Sequence, residues 1–457
     1  MPDTDLGSFG DSRLACVGGE LLAAMQRKRT LCLHRLSTDR NQTRRFGRFL
    51  ANYRVTVHEM LAAQRRSTAH RSAGRHVLAV MDTTKLSFPT HHVSKSTFGK
   101  DTNGEHPGLF LHPVLAVDAD NGGILGLIDC TVIDRTGGKV ENRKKRPADE
   151  KESYRWLESA QIAAGLTETG AVTMVADRES DGFDFLAHRP DKAHVLIRSA
   201  QARTLVSGGL LPDHVAGLAE QGRDTIEVPP KGDRKARQAV VALRFDAIVL
   251  KRPQGTRAAD APASVALWVV DAREVDPPAG ETPVHWRLLT THPIETLAGA
   301  RQIVAWYRMR WTIEQVFRSL KSHCLRIEDS QIETAVPFAK LAMVALIAAV
   351  RSMQLVLARD GKTAQPIADA VDPANMPALR DLNASLEGRT AKLKNPYNET
   401  TLAWFAWVVA RLGGWSGYTS RGYRPPGPKT MHHGLLEIDP ILKGWHLANR
   451  SAFVRLR

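Results

Sequence analysis

Apolar residues recur at three- and four-residue intervals over residues 13–25 and 44–64. That spacing predicts amphipathic helices and little strand in the first 70 residues, and a small helical bundle is expected there. The texture then changes. His76-Val77-Leu78-Ala79-Val80-Met81 is a short continuous apolar run ending in the polar tip Asp82, as a buried strand does. Residues 109–119 and 123–133 read as two further strands joined by Asp118-Ala119-Asp120-Asn121-Gly122-Gly123, a hairpin turn signal. Residues 149–165 carry helical spacing. Ala171-Val172-Thr173-Met174-Val175-Ala176 is a second apolar run with an acid, Asp177, at its end, and a helix follows over 182–189. Strand patterns continue at 194–198, 224–228, 238–250, 263–272 and 286–291, separated by Pro, Gly and charge clusters. Helices return over 295–322 and 334–359. Residues 360–400 are loose and polar, and 401–412 form a last amphipathic helix stopped by Gly413-Gly414.

The order strand, strand, strand, helix, strand, helix over 76–189 is what a ribonuclease-H-like core requires. The expected fold class is therefore α/β (α+β), with that core interrupted by a β-rich insertion. Five segments follow: a helical region at 1–70, the first part of the core at 71–190, the insertion at 191–292, the helical remainder of the core at 293–360, and a C-terminal helical region at 361–457. A chain of 457 residues is more than one core usually serves.

Composition narrows the function. Lys plus Arg is 63 against 48 Asp plus Glu, a formal charge of +15, which favours a polyanionic partner such as nucleic acid. Basic runs at Arg44-Arg45, Arg65-Arg66 and Arg143-Lys144-Lys145-Arg146 point the same way. The four Cys, at 16, 32, 130 and 324, form no C-x-x-C pair and no zinc spacing, so a reduced compartment is expected. The N-terminus lacks a secretory pattern, and the apolar run 341–350 is too short to cross a bilayer and ends at Arg351. It reads as a buried core helix; no membrane partner and a cytoplasmic, nucleoid-associated location are expected.

The candidate chemistry lies in residues 303–321, a helical pattern without Gly or Pro. At roughly 100° per residue, Tyr307, Arg310, Glu314 and Lys321 share one face, with Arg318 beside them, while Ile313, Val316, Phe317 and Leu320 form a core-facing stripe. One acid among cations suits a site that holds a metal with the acid and phosphates with the bases. The plainer reading is a salt-bridge ladder, Arg310 to Glu314 to Arg318. Asp82 and Asp177 end two buried strands, whose tips would meet if the strands are neighbours. Either Asp alone is as readily a turn or cap residue. Three converging carboxylates repel one another unless divalent cations neutralise them, and hard oxygen ligands with open water positions favour Mg²⁺ or Mn²⁺.

The spacing Tyr, two residues, Arg, three residues, Glu, six residues, Lys is met by Tyr307, Arg310, Glu314 and Lys321. With Met81-Asp82-Thr83-Thr84, Ala176-Asp177-Arg178-Glu179-Ser180-Asp181, Asp149-Glu150-Lys151-Glu152-Ser153 and Ala410-Arg411-Leu412-Gly413-Gly414, the chain resembles cut-and-paste transposases of bacterial insertion sequences. The family resembled is the insertion-sequence-four (Tn-five-like) family of the DDE, or retroviral-integrase-like, superfamily. The resemblance implies that Asp82, Asp177 and Glu314 are catalytic and hold two Mg²⁺ (or Mn²⁺) ions. It implies a nick, a hairpin on the transposon end, hairpin opening, and strand transfer into target DNA, with a homodimer on paired ends bearing terminal inverted repeats. Arg310, Lys321 and Arg318 would grip phosphates, Tyr307 would donate to a phosphate, and Arg198 would approach the DNA end. Trp286 would stack on a flipped base or fill its gap, against the plainer role of a packed core Trp.

Arg13, Lys28, Arg29, Arg40, Arg44, Arg45 and Arg48 are candidates for reading the terminal repeat. The helix around 404–412 is a candidate for dimerisation, the alternative being a tail packed on its own subunit. Phe317 stands where a close relative carries a polar residue. Two other readings stay open: a catalytically silent DNA-binding relative, and a ribonuclease-H-like nuclease without strand transfer.

Overall fold

The structure is a computed structural model that describes all residues except 1–4, 29, 90–94, 96, 102–103, 137–153, 167, 230–234, 255–260, 324, 418–424 and 455–457. The basic run 143–146, the segment 149–153, Arg29 and Cys324 lie outside the described residues. In chain order the elements are α1 (Ser12–Lys28), α2 (Leu33–Leu36), α3 (Arg40–Ala51), α4 (Val57–Ser72), β1 (His76–Met81), β2 (Thr84–Ser87), β3 (Gly108–Asp118), β4 (Ile124–Ile133) and α5 (Arg155–Ala164). There follow β5 (Ala171–Ala176), α6 (Phe183–His188), β6 (His194–Arg198), α7 (Leu211–Gly217), β7 (Gly222–Val228), β8 (Arg237–Lys251), β9 (Ser264–Glu274) and β10 (His285–Thr290). The helices α8 (Leu297–Met309), α9 (Trp311–Arg318), α10 (Ala335–Ala358), α11 (Met376–Leu386), α12 (Leu402–Leu412) and α13 (Pro428–Val454) complete the chain. The protein is mixed α/β and divides into two units, each built from separated pieces of sequence.

One unit comprises Met1–Ala73, Thr83–Lys139 and Thr312–Arg457. Its strands form the antiparallel ladder β2-β3-β4, with Thr84 opposite Leu111 and Phe110 opposite Ile133. The predicted hairpin turn is present: Asp118 N donates to Gly123 O at 2.9 Å, and Gly122 N to Asp118 O at 2.9 Å. Local caps start the N-terminal helices. The Asp39 carboxylate accepts from Gln42 N at 2.8 Å to open α3, and Thr56 Oγ1 from Glu59 N at 3.1 Å to open α4. α1, α2 and α3 pack on one another. α4 lies on β4, where Thr68 Oγ1 donates to Leu127 O at 3.0 Å and Arg65 Nε to Ile128 O at 3.1 Å. Gly126 permits that approach, since a Cβ there would sit 2.2 Å from Thr68 Oγ1.

The helix α10 has 24 residues and passes the length and hydropathy test for a bilayer span, longer than the apolar run alone suggested. It is instead buried, against β4, α1, α12 and α13. The same holds for α12. Trp404, Phe405 and Trp407 are buried, and the helix packs on α10, α11 and α13 of its own chain. A Cβ on Gly434 would lie 1.6 Å from Val409 O, so α13 meets α12 backbone to backbone. α12 is thus covered by helices of its own chain.

The other unit comprises Gly74–Asp82 and Val140–Trp311. Its sheet runs in the order β1-β5-β6-β10-β9-β8-β7. β1, β5 and β6 are parallel, with Val80 opposite Val175 and Ala176 opposite Ile197. The remaining pairings are antiparallel. Five of six positions in β1 and in β5 are buried, the signature of central strands covered by helices. α5 lies against β1 and β5, and α8 against β5, β6, β8 and β9. The β-rich stretch 191–292 belongs to this sheet. β6 and β10 join the same sheet as β1 and β5, and β9, β8 and β7 extend it. Alternation along a strand shows which face is buried, not which strand lies beside it.

At the end of this sheet away from Asp82 and Asp177, three histidines surround Thr173. Its hydroxyl meets His76 Nε2 at 2.8 Å and His292 Nε2 at 2.8 Å, and His194 stacks on His292 with centroids 3.8 Å apart. His194 Nδ1 meets Thr291 Oγ1 at 3.1 Å, and Trp306 of α8 lies edge-on to His76. Burial, then the neighbouring His194 and His76, push the His292 pKa down to about 3; burial and Arg189 lower that of His194. Unfolded His292 titrates near 6.5, so below that pH the unfolded chain binds more protons than the folded one. Stability is therefore present above pH 6.5 and is lost as the pH falls toward 3. Thermal melts from pH 7 to pH 4 are expected to show a falling midpoint, and His292→Asn to flatten that fall; an unchanged slope in the variant refutes the assignment.

Candidate active site

Asp82 and Asp177 follow β1 and β5 immediately, and the parallel register carries both carboxylates to the same edge of the sheet. Their side chains keep 22% and 33% of their surface exposed, so water and ions reach them. A single guanidinium joins them. Arg310 Nη1 lies 3.3 Å from Asp82 Oδ2, and Nη2 lies 3.8 Å from Asp177 Oδ2. Arg310 is 5% exposed, and a buried cation requires such partners. It also lies 5.8 Å from the ring centroids of Tyr307 and of Trp311.

Tyr307 is buried and donates its hydroxyl to Asp177 Oδ1 at 3.1 Å. Burial, reinforced by the Asp177 charge, raises the phenol pKa, so it stays a donor throughout the ordinary pH range. The expected phosphate donor is therefore an inward hydrogen bond that orients a carboxylate. Trp286 is half-buried and meets Tyr307 edge-on, centroids 5.4 Å apart. Arg198, at the end of β6, donates from Nη2 to His285 O at 2.8 Å. Trp286, Arg198, Arg308, Met309 and Trp311 line an open cleft of about 1370 Å³. Arg308 and the cleft itself escaped the sequence reading; the alternation of β10 showed only which residues face away from the core.

The helix expected over 295–322 is interrupted. α8 ends at Met309, α9 spans Trp311–Arg318, and Ser319–His323 form a π turn. Such turns recur at functional sites. Glu314 stands half-buried in the first turn of α9, one turn along the chain from Arg310. Arg318 is exposed. The Lys321 ammonium donates to Lys85 O of β2, and burial lowers its pKa. Among the described residues no group of three His, Cys, Asp or Glu is arranged to hold a metal ion. The charge that lies between the two carboxylates is Arg310 of the chain itself.

In the N-terminal region Arg13, Lys28, Arg40, Arg44, Arg45 and Arg48 are exposed, and Arg45 pairs with Glu20 at 3.0 Å. On α3 the arginines face away from buried Phe46, Phe49 and Leu50.

A family model described as transposase DDE domain matches residues 73–351. The chain belongs to the DDE transposase family. In this DDE transposase the matched segment runs from before β1 into α10, and so contains Asp82, Asp177 and all of 307–321. Family membership supports an enzyme acting on DNA, and the partly exposed carboxylates of Asp82 and Asp177 are hard oxygen donors of the kind a divalent ion takes.

Arg310→Met leaves two neighbouring carboxylates without their counter-charge. In EDTA it is expected to cost roughly 1–3 kcal/mol, less than a fully buried pair because water reaches both acids. Urea unfolding measures this, and a midpoint equal to that of the parent protein would show that the guanidinium is not held between them.

Proposed function

We propose that this DDE transposase performs cut-and-paste DNA transposition of the insertion-sequence-four kind. The observation that carries the reading is the meeting of Asp82 and Asp177 at adjacent strand tips, with Glu314 one helical turn after the arginine that bridges them. Asp82, Asp177 and Glu314 would hold Mg²⁺ or Mn²⁺, which would supply activation of a water or 3′-hydroxyl and stabilisation of the leaving oxygen. Tyr307 holds Asp177 in orientation. Arg310 has the planar fork that would suit a phosphate beside these acids. Lys321, Arg318 and Arg198 add phosphate contacts, and the charge of +15 draws the polyanion in.

The steps are a first-strand nick at the transposon end, attack of the freed 3′-hydroxyl on the opposite strand to give a hairpin, hairpin opening by water, and transfer to target DNA. All are in-line displacements at phosphorus, so one set of residues serves them. The cleft beside Trp286 supports the hairpin step, because a tightly bent strand extrudes a base and an indole can stack on it. The exposed arginines of α3 supply contacts to the terminal inverted repeats, and a homodimer on paired ends completes the assembly.

The test is incubation with Mg²⁺ and a duplex carrying the inverted repeats that flank the coding region. Nick, hairpin and joined product are expected in succession. Binding without a nick would make the protein a silent DNA-binding relative, and a nick without hairpin or joined product would make it a simple nuclease.

Glu314→Ala is expected to abolish nicking, by more than the roughly hundredfold that loss of an outer-shell partner costs, while end binding in a gel-shift assay persists. Cleavage near the parental rate would overturn the ligand assignment. Trp286→Ala is expected to spare the first nick and slow hairpin formation roughly 5- to 150-fold, the equivalent of one base stack. Equal loss of both steps would point to a packing role for the indole.

A further inference from the structure

Asp181 lies four residues after Asp177, and its side chain is completely buried. Its carboxylate is saturated with donors. Oδ1 accepts from Arg203 Nη2 at 2.6 Å and Nε at 3.2 Å. Oδ2 accepts from Ala200 N at 2.7 Å, Gln201 N at 2.9 Å and Ser199 Oγ at 3.3 Å. Arg203, itself buried, also donates to the Asp181 carbonyl. Burying an ion pair is costly unless the remaining lone pairs are also filled, and here they are.

The partners come from two different turns. Asp181 closes the short 3₁₀ turn that leaves Asp177: Ser180 N donates to Asp177 O at 3.0 Å, Ser180 Oγ to the same oxygen at 2.7 Å, and Asp181 N to Arg178 O at 3.1 Å. Ser199–Arg203 are numbers 199–203 of the chain, the turn that leaves β6 just past Arg198. Ala176 pairs with Ile197, so Asp177, the first residue past β5, stands level with Arg198, the last residue of the neighbouring parallel strand β6. Turns beyond strand ends open readily and independently when nothing ties them. Here one carboxylate ties both.

We propose that Asp181 is a positioning residue that fixes the turn carrying Asp177 to the turn that follows Arg198, so that the end of β5 and the end of β6 move as one body. A carboxylate that holds a cation and an arginine that meets a phosphate must keep their separation within about half an ångström to act on the same strand. The clamp supplies that constraint from below, without touching DNA. The kinetic consequence rests on the proposed transposase chemistry; the mechanical claim does not.

Asp181→Asn keeps the shape and one acceptor but turns one oxygen into a donor, which faces either two backbone amides or a guanidinium. In the full-length protein, amide exchange at Ala200 and Gln201 is expected to speed up by roughly tenfold or more, while the amides of β5 and β6 stay within about twofold of the parent. Nicking per folded molecule at saturating duplex is expected to fall roughly tenfold or more, and the Asp181→Asn/Arg198→Ala double variant to be slowed by less than the product of the single effects. Unchanged exchange at 200 and 201, protection lost equally in β5 and β6, or fully multiplicative kinetics each overturns the coupling. Should Asp181→Asn not fold, Arg203→Lys keeps the charge and removes the fork, with the same local opening expected; failure of both to fold marks the cluster as a folding element and ends the proposal. If the parent protein makes no nick, the transposition reading fails while the exchange measurement still decides the clamp.

Discussion

Two carboxylates brought to the tips of neighbouring parallel strands need a positive charge between them, and this requirement organises that end of the sheet. The strands are apolar over five of six positions, so burial places them centrally, and pairing in register brings Asp82 and Asp177 together whatever their mutual repulsion. Arg310 answers that repulsion from the end of α8, and Tyr307 fixes the outer oxygen of Asp177. Trp286 packs against Tyr307, which makes the wall of the cleft continuous with the carboxylate pair. Each of these side chains is held by the next, so the site is ordered before any ligand arrives.

A guanidinium between two carboxylates neutralises both and turns Arg310 inward from the rest of its segment. The helical signature is therefore less a row of surface cations than a set of groups with separate tasks. Tyr307 and Arg310 turn inward to the acids, Lys321 spans to a backbone carbonyl of β2, and Arg318 remains exposed. The break at Arg310 and the π turn at Ser319–His323 accompany this division of direction, which a single regular helix face would not give.

The extended sheet has a consequence for the cleft. Because β10 pairs with both β6 and β9, Trp286 and Arg198 are carried on adjacent strands and are set by ladder hydrogen bonds. A loop-borne tryptophan would lack that constraint. Asp181 adds a second tie below the same edge, between the turns that leave β5 and β6.

Much of the site was legible in the sequence. The apolar runs ending in Asp82 and Asp177, the 118–123 hairpin, the helical segments and the spacing of Tyr307, Arg310, Glu314 and Lys321 are all local features, fixed by neighbours a few residues away. The assignments that depended on distant partners fared differently. Periodicity could not say that β6 and β10 join the main sheet, that α12 is covered by its own chain, that the N-terminal helices pack on β4 and α10, or that Arg310 bridges the two aspartates. The sequence by itself determined which segments become strands and helices, which faces are apolar and which acids end up at strand tips, because hydrophobic period and turn chemistry act over a few residues. Only the tertiary structure decided which tips are neighbours and which cation sits between them, because strand pairing and buried charge compensation join residues as far apart as Asp82 and Arg310, 228 positions, and no local pattern encodes the partner.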